Sequence, residues 1–508
     1  MTDSFTTENV WRTSTPEEQG VDPAGIRALI DALEADPSQD PHALVIVRQG
    51  AVVASVSWAP YGIRRPQLLY SLSKSFTSTA AGFAAAEGLL DLDAPAADYF
   101  PEYADAIAPA SRRILVRHLA SMATGHEVDM IERVIAADAQ RPVRAFLSMA
   151  PEHEPGTIFT YNQPATYTLA AIIQKQTGMP LTDYLRPRLL EPLGIPPIGW
   201  QQQPAGVDLG FSGLFSSAEA VAKLGRLYLD GGVWDGRRLL PEWWVREATS
   251  KQIDNSRYSD WGAESRQGYG FQFWMSTHGY RGDGAFGQFC LVLPEHDTVV
   301  ALTSLTSDMQ LTMRTVWNTL LPALQDAPLE PRGGDVLLGE VRALGFPRAG
   351  TPTVTGFSDL AADAAGEYRM TASGFRADYA GEHEDFEGFA LERVDGAWHA
   401  TIRVSGGTVG GVVGDGEWVV SEGEVSGTLG VPVALRGGIL SGGDSAGSGV
   451  LHVEAAFIDT PHRLTMDFDP ATHAVTPDWG NEGAPLRFTG ALVLRAVRPG
   501  ETTTLIQG

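Results

Sequence analysis

The sequence has little cysteine, little lysine and no long apolar stretch. Its single cysteine, Cys290, excludes an intramolecular disulfide. Cys290 lies in the apolar run 289–293, which predicts a buried strand with the thiol as a small core side chain. No stretch of about 18 apolar residues occurs, and the N-terminal residues lack the basic and then apolar pattern of a secretion signal. These absences predict a soluble, cytoplasmic protein.

Positive charge is also scarce. The 508 residues include 37 basic and 62 acidic side chains, which gives a formal net charge of -25. Nucleic acids and anionic membranes carry the same sign of charge, so we expect neither as a partner. Neutral or cationic small molecules are the expected partners, although such a charge also serves solubility in many proteins. The composition makes no prediction of oligomeric state.

The length predicts two domains, because a single hydrophobic core rarely grows to this size. Residues 1–325 mix helical periodicity with short strands and form the first predicted domain. Helices are predicted at 23–35, 76–90 and 166–178, and a hairpin turn at 48–50.

The amino-acid composition changes at two points in the rest of the chain. Residues 326–360 are rich in proline and glycine, which predicts a linker with room for a short helix. In residues 361–508, β-rich runs recur between Gly and Asp turns, which predicts an antiparallel barrel or sandwich. The clearest of these runs are 398–404, 417–420, 450–456 and 463–468.

A serine and a lysine stand three residues apart at the start of the second predicted helix. Positions i and i+3 share one face of a helix, so the Lys74 amine can reach the Ser71 hydroxyl. The positive end of the helix dipole and burial both disfavour a protonated lysine. A neutral Lys74 could then take the Ser71 proton. The alternative is an ordinary helix start with a serine cap and a surface lysine.

The scarcity of lysine favours the catalytic interpretation. Only four of the 37 basic residues are lysines, so a structural cation in this chain is usually arginine. A guanidinium does not deprotonate near neutral pH, and therefore a base cannot be arginine. Lys74 alone among the four follows a serine by three positions.

From Ser71 onward the sequence resembles the class C beta-lactamase branch of the serine penicillin-recognising proteins, which includes family VIII carboxylesterases, D-aminopeptidases and nylon-oligomer hydrolases. The resemblance covers about residues 20–310 in matching order. It rests on the stretches YSLSKSFTSTAAGFAAAEGLLDLDAPAADYFPE, LVRHLASMATGHE, HEPGTIFTYNQPATYTLAAIIQKQTGMPLTDYL and GLFSSAEAVAKLGRLYLDGGVWDGRRLLPEWW. It implies an α+β fold of the beta-lactamase/transpeptidase type, with an antiparallel sheet flanked by helices and a helical subdomain, here followed by the β domain.

The family's second element, a tyrosine followed two residues later by Asn or Ser, matches Tyr161 and Gln163. By this resemblance Tyr161 completes a proton relay with Ser71 and Lys74, in an ionised form stabilised by the nearby cation. Gln163 replaces the usual Asn or Ser and keeps an amide that could hold a substrate carbonyl.

The third element, Lys or His followed by Thr or Ser and then Gly, has no exact match. The Gly-rich segment 277–288 keeps the glycine pattern, and either His278 or the run containing Gly282 and Asp283 could face the site. A backbone N–H near Gly282 would pair with that of Ser71 as an oxyanion hole. Without the lysine that meets a beta-lactam carboxylate, beta-lactam hydrolysis is disfavoured.

Two other motifs point elsewhere. Residues 443–447 spell G-x-S-x-G, but the flanking sequence predicts strands and turns instead of the strand and helix that this nucleophile elbow needs, so a hairpin tip is expected. The His-Glu pairs lack a second histidine four residues after the first, so we predict no metal, and no cofactor is implied.

The expected activity is that of a serine hydrolase, an esterase or amidase acting on a small or peptide-like substrate through an acyl-enzyme on Ser71. An acyltransferase or transpeptidase-type enzyme using the same acyl-enzyme is the first alternative. A non-catalytic, penicillin-binding-like sensor on the same scaffold is the second, and the joint presence of Ser71, Lys74 and Tyr161 speaks against it.

Overall fold

The fold was obtained as a computed structural model. It describes residues 11–258, 262–331, 337–343, 354–356, 364–370, 386–404, 407–422, 430–440, 450–479 and 497, and every structural statement below concerns this part of the chain.

Helices occur only in the first 325 residues of the described chain. They are α1 (Pro23–Ala35), α2 (Ser73–Ala86), α3 (Val116–Ala120), α4 (Ile131–Asp138), α5 (Pro142–Ser148), α6 (Gln163–Thr177), α7 (Leu181–Leu185), α8 (Ala218–Leu229), α9 (Glu242–Ala248) and α10 (Met309–Thr319).

The strands that precede the C-terminal part, together with one from the predicted linker, are β1 (Gln39–Arg48), β2 (Ala51–Ala59), β3 (Gln67–Leu68), β4 (Gly199–Trp200), β5 (Leu214–Ser216), β6 (Val233–Trp234), β7 (Arg237–Arg238), β8 (Trp274–Ser276), β9 (Gly279–Gly284), β10 (Gln288–Leu293), β11 (Thr298–Thr306) and β12 (Leu337–Ala343). The remaining strands are β13 (Val354–Thr355), β14 (Gly366–Met370), β15 (Phe386–Val394), β16 (Ala397–Val404), β17 (Gly407–Val412), β18 (Gly414–Asp415), β19 (Val419–Ser421), β20 (Val433–Leu440), β21 (Val450–Ala456), β22 (Arg463–Asp469) and β23 (Ala474–Asp478).

A seven-stranded sheet, in the order β12-β2-β1-β11-β10-β9-β8, forms the centre of the first domain. Alternate side chains of its strands leave on opposite faces, as the period of two requires. On β1, Leu44 and Ile46 join the core beneath α1 and α10, whereas Val45 and Val47 join the core shared with α2, α6 and α8. The sheet is therefore buried on both sides, and its central strands are apolar throughout.

The predicted elements of this domain are confirmed. Helix α1 begins after Asp22, whose carboxylate accepts a hydrogen bond from the Ala24 N–H. Helix α6 ends at Gly178, which adopts a left-handed conformation that glycine tolerates best. Cys290 is fully buried on β10.

The second sheet has 11 strands, and its main path runs β13-β20-β21-β22-β23-β14-β15-β16-β17. Strand β17 lies against β19 and β20, so the sheet curls into a nearly closed barrel. Its interior is filled by apolar side chains, among them Phe389, Trp398, Leu435, Met466 and Phe468. The α+β fold with a C-terminal β domain is thus confirmed, although β14 pairs with β23 in parallel.

The predicted linker contributes to both sheets. Strand β12 pairs in parallel with β2 at the edge of the first sheet, and β13 pairs with β20 in the barrel. A strand therefore stands where the composition allowed a short helix.

No helix in the described ranges is long and apolar enough to cross a membrane.

Candidate active site

Ser71 lies in a 3-10 turn, Tyr70–Leu72, that leads directly into α2. The Lys74 Nζ donates a hydrogen bond of 3.0 Å to the Ser71 Oγ, as the i, i+3 spacing predicts. Ser71 is partly exposed, whereas Lys74 is 1% exposed. The serine is therefore open to a reactant while its lysine partner is shielded from water.

The Lys74 amine is held by three oxygen acceptors. Besides Ser71, it donates to Gln163 Oε1 at 2.7 Å and to the Phe211 carbonyl at 2.8 Å. Burial lowers the pKa of Lys74 to about 7, because desolvation disfavours the charged form, and the negative charges of Asp129 and Asp283 partly oppose this effect. A substantial fraction of Lys74 is thus neutral near pH 7 and able to accept a proton.

Tyr161 shares a hydrogen bond with Ser71 and lies beneath Lys74, whose Nζ is 4.7 Å from the ring centroid. Its ring stacks on Trp274, with 5.3 Å between centroids. Burial, followed by the charge of Asp283, raises the pKa of Tyr161 well above its usual value. Burial therefore favours the neutral phenol of Tyr161 over the ionised form that the resemblance implied.

Gln163 is the first residue of α6, and its side-chain oxygen accepts the Lys74 hydrogen bond. This contact uses the amide oxygen of Gln163, whereas a substrate carbonyl would be held by the amide N–H group. The side chain of the neighbouring Asn162 is fully buried. It accepts a hydrogen bond from the Met130 N–H and donates one to the Thr124 hydroxyl, so it holds the start of α6 against the loop before α4.

Asp129 is a residue of this site that the sequence did not reveal. Its carboxylate accepts hydrogen bonds from the backbone N–H groups of Gln163 and Ile131, and it acts electrostatically on Lys74. Solvent reaches Asp129, yet the protein atoms around it raise the pKa of its carboxyl. No motif marks Asp129, because it is brought to the site by the loop before α4.

Strand β9 lies against the segment that carries the serine. A Cβ atom at Gly282 would come within 2.4 Å of the Ser75 Oγ and 2.6 Å of Leu72 Cδ1, so only glycine permits this approach. Strand β8 pairs with β9 only as far as Arg281, which leaves residues 282–284 facing the start of α2.

Asp283 follows Gly282 and is tied to the buried Arg281 by an ion pair of 2.8 Å. Its charge acts on both Lys74 and Tyr161, which places it beside the serine.

The structure does not bring His278 to the serine. His278 is exposed in the turn between β8 and β9, where its ring packs against Trp317 at 5.1 Å. It lies four residues from Gly282, or about 13 Å along an extended strand. Of the two segments that the sequence left open, the one containing Gly282 and Asp283 is next to Ser71.

Other sequence features are accounted for differently. The aromatic side chains Trp58, Tyr61 and Tyr70, which precede the serine in the sequence, are buried in packed clusters. The G-x-S-x-G run at 443–447 lies outside the described residues. In the described part of the chain, no three His, Cys, Asp or Glu side chains are grouped so that they could hold a metal ion.

Comparison with known proteins places this arrangement in context. The Beta-lactamase family model matches residues 26–319, more than half of the chain. The chain is 26% identical over 298 residues to a 6-aminohexanoate-dimer hydrolase of Paenarthrobacter ureafaciens, covering 52% of this chain and 72% of that protein. It is also 26% identical over 312 residues to penicillin-binding protein 4 of Amycolatopsis lactamdurans, covering 52% and 81%.

Among solved structures, the octameric penicillin-binding protein homologue from Pyrococcus abyssi aligns over 87% of this chain and 98% of its own. The TM-score is 0.48 and the sequence identity is 16%.

Proposed function

The chain belongs to the beta-lactamase family, and from this premise we propose that it is a serine hydrolase that cleaves an ester or amide bond through an acyl-enzyme on Ser71. The observation that carries the proposal is the 3.0 Å hydrogen bond between Lys74 Nζ and Ser71 Oγ, together with a lysine pKa of about 7. A base whose pKa lies near the working pH is present in its unprotonated form and still binds a proton strongly enough to drive the transfer.

In the proposed reaction, neutral Lys74 accepts the Ser71 proton as the Ser71 Oγ forms a bond to the substrate carbonyl carbon. The phenol of Tyr161 then donates its proton to the leaving alcohol or amine as the scissile bond breaks. The Lys74 ammonium then transfers its proton to the Tyr161 phenolate, which restores both groups for the second step. Water next attacks the acyl carbon and loses a proton to neutral Lys74. Tyr161 donates its proton to the Ser71 Oγ as the acyl–oxygen bond breaks, which releases the acid and free Ser71.

The developing negative charge on the substrate oxygen needs hydrogen-bond donors. The backbone N–H of Ser71 is one candidate, and an N–H from the unpaired edge of β9 at 282–284 is the other. This assignment is supported by the close packing of Gly282 and Gly284 on the segment 69–75, which brings the backbone of β9 near the backbone of the segment that carries Ser71.

The charges around Ser71 favour substrates without a carboxylate close to the scissile bond. Asp129 is solvent-exposed at the opening of the site and Asp283 lies beside Tyr161. Arg281, the cation on the same strand, is buried and paired with Asp283. An ester or amide bearing a neutral or cationic group is therefore preferred over a beta-lactam. The relative named 6-aminohexanoate-dimer hydrolase fits this preference by its name.

We assign the chemistry to residues 1–325, with 326–360 as the connection and 361–508 as the β domain. The family match at 26–319 supports the first boundary.

The test is turnover by the purified protein of a panel of p-nitrophenyl esters, amino-acid p-nitroanilides and nitrocefin, with Ser71→Ala as control. Ser71-dependent release from esters or anilides, with little from nitrocefin, is the expected result. Added amine acceptors that divert the acyl group from water would instead indicate an acyltransferase. Labelling by a fluorophosphonate without turnover would indicate a sensor.

A further inference from the structure

Residues 457–462 join β21 to β22 in a tight turn that lies against the first domain and is called the barrel turn below. It is closed by its own backbone: the Thr460 N–H donates to the Phe457 carbonyl, and the Phe457 N–H donates to the His462 carbonyl. His462 is fully buried. The barrel turn is thus closed by its own backbone hydrogen bonds, and the side chain of its His462 is buried.

The barrel turn docks along the residues just before Ser71. The Leu68 N–H donates to the Asp459 carbonyl at 2.9 Å, and the Gln67 side-chain amide donates to the Ile458 carbonyl at 3.5 Å. The Arg65 guanidinium forms an ion pair of 3.0 Å with Asp459. The segment 65–70 is therefore held by the second domain.

The last contact of this series involves Tyr70, the residue before the serine. The Tyr70 hydroxyl is hydrogen-bonded to His462 Nε2, and the two rings meet edge to face. Tyr70 has a φ of +47°, in the left-handed region that non-glycine residues rarely adopt. Such a conformation persists only where its surroundings hold it, and it sets the direction in which the next residue leaves the chain.

The same histidine also touches the hairpin that follows β9. Phe286 packs edge to face against His462 at 5.2 Å and against Tyr70 at 5.3 Å. His462 thus contacts both segments that flank the site: the one that carries Ser71 and the one that carries Gly282 and Asp283.

We propose that His462 of the barrel turn is a positioning residue for the reaction, acting through Tyr70 to hold the Ser71 Oγ within reach of Lys74. The β domain is then part of the catalytic unit. This inference rests on the proposed acyl-enzyme function, and it adds a residue outside the family-matched region 26–319. Reacting atoms that are displaced by about 1 Å can lose two orders of magnitude in rate, so a hydrogen bond that fixes the serine matters.

The test is the pre-steady-state burst of p-nitrophenol from a p-nitrophenyl ester in the full-length protein. Tyr70→Phe deletes one oxygen, and His462→Phe keeps a ring against Phe286 while it removes the nitrogen. Each is expected to slow acylation about tenfold or more, with little change in the substrate dissociation constant obtained from the concentration dependence of the burst. The double variant is expected to be no slower than either single variant, because both remove the same bond.

Two further variants separate positioning from general stability. His462→Gln places an amide near Nε2 that can donate or accept, so its acylation rate is expected to stay within about threefold of the parent. The control is His473→Phe, since the His473 ring packs against Tyr368 of the barrel, in the turn between β22 and β23. Thermal unfolding of every variant is recorded beside its acylation rate.

The outcomes are distinct. Acylation at the parent rate in Tyr70→Phe and His462→Phe would overturn the inference and leave the proposed function intact. A His462→Gln protein as slow as His462→Phe would also overturn it. If the parent protein releases no product from any ester or anilide in a Ser71-dependent manner, the proposed function fails and the inference falls with it.

Discussion

At the scale of single residues, the site depends on what burial does to one amine. Lys74 is enclosed by Ser71, Gln163 and the Phe211 carbonyl, and desolvation brings its pKa to about 7. The same burial keeps Tyr161 protonated. In the proposed reaction, burial therefore suits Lys74 to the role of base and Tyr161 to the role of acid.

Replacement of Lys74 by arginine tests the base directly. Lys74→Arg keeps the positive charge, but its guanidinium cannot accept a proton near neutral pH. We expect kcat for a p-nitrophenyl ester to fall by about 10³-fold or more. The control is Lys175→Arg, because Lys175 forms an exposed ion pair with Glu102 that arginine can also make. Activity in Lys74→Arg within a few-fold of the parent would contradict the assignment.

The pH dependence of acylation follows from the lowered pKa of Lys74. The neutral amine is the reactive form, so the acylation rate rises with pH through about 7 and is lost as pH falls below that value. Asp129 raises the pKa of Lys74 by its negative charge. Asp129→Asn is therefore expected to move the acidic limb to lower pH, as measured by kcat/KM between pH 5 and 9.

The matched control for that shift is Asp31→Asn, an exposed carboxylate on α1 far from the site. Its profile is expected to overlay that of the parent. A limb that moves to higher pH in Asp129→Asn would contradict the electrostatic account of Lys74.

Sequence reasoning found Ser71, Lys74 and Tyr161 because short-range spacing and family motifs carry them. It did not find Asp129 or His462. These residues reach the site through loop and domain packing, which no local pattern in the chain records.

At the scale of elements, the start of α2 and strand β9 form the site by close approach. Gly282 and Gly284 let β9 lie against the 3-10 turn of the serine, where a methyl group has no room. Periodicity predicted α1 and α6, which bury apolar side chains in the two cores, and a continuous apolar run predicted β10, which is buried on both faces. It did not predict β12, which is a strand only because it pairs with β2.

Gly282→Ala tests this approach. The added Cβ would meet Ser75 and Leu72, and overpacking of this kind costs about 1–3 kcal/mol of folding free energy. We expect a lower free energy of unfolding in urea and a slower acylation rate, since β9 is pushed away from Ser71. Gly62→Ala is the control, because a Cβ at Gly62 has only Arg65 at 3.9 Å. If the two variants had equal free energies of unfolding, β9 would accommodate the added methyl group without loss of stability, which would contradict this prediction.

At the scale of the whole molecule, a barrel and a helix-flanked sheet are joined by buried polar contacts. The Arg463 guanidinium at the start of β22 lies 3.0 Å from Asp40 on β1, and both side chains are buried. Composition predicted two domains, yet it gave no information on how they dock, since the paired residues are more than 400 positions apart.

Arg463→Met tests the strength of this junction. Removal of one partner leaves Asp40 buried without its cation, and broken buried pairs cost about 3–5 kcal/mol. We expect a clear loss of unfolding free energy in chemical denaturation. In contrast, Glu102→Gln breaks an exposed pair with Lys175 and is expected to cost about 1 kcal/mol or less. Equal effects of the two variants would mean that the domains are not held by this contact.

Mass spectrometry of the protein quenched during turnover of a p-nitrophenyl ester shows whether Ser71 forms an acyl-enzyme. We expect one acyl adduct, on the peptide that contains Ser71, and none in Ser71→Ala. An adduct on another residue, such as Ser445, or equal labelling of Ser71→Ala, would contradict this expectation.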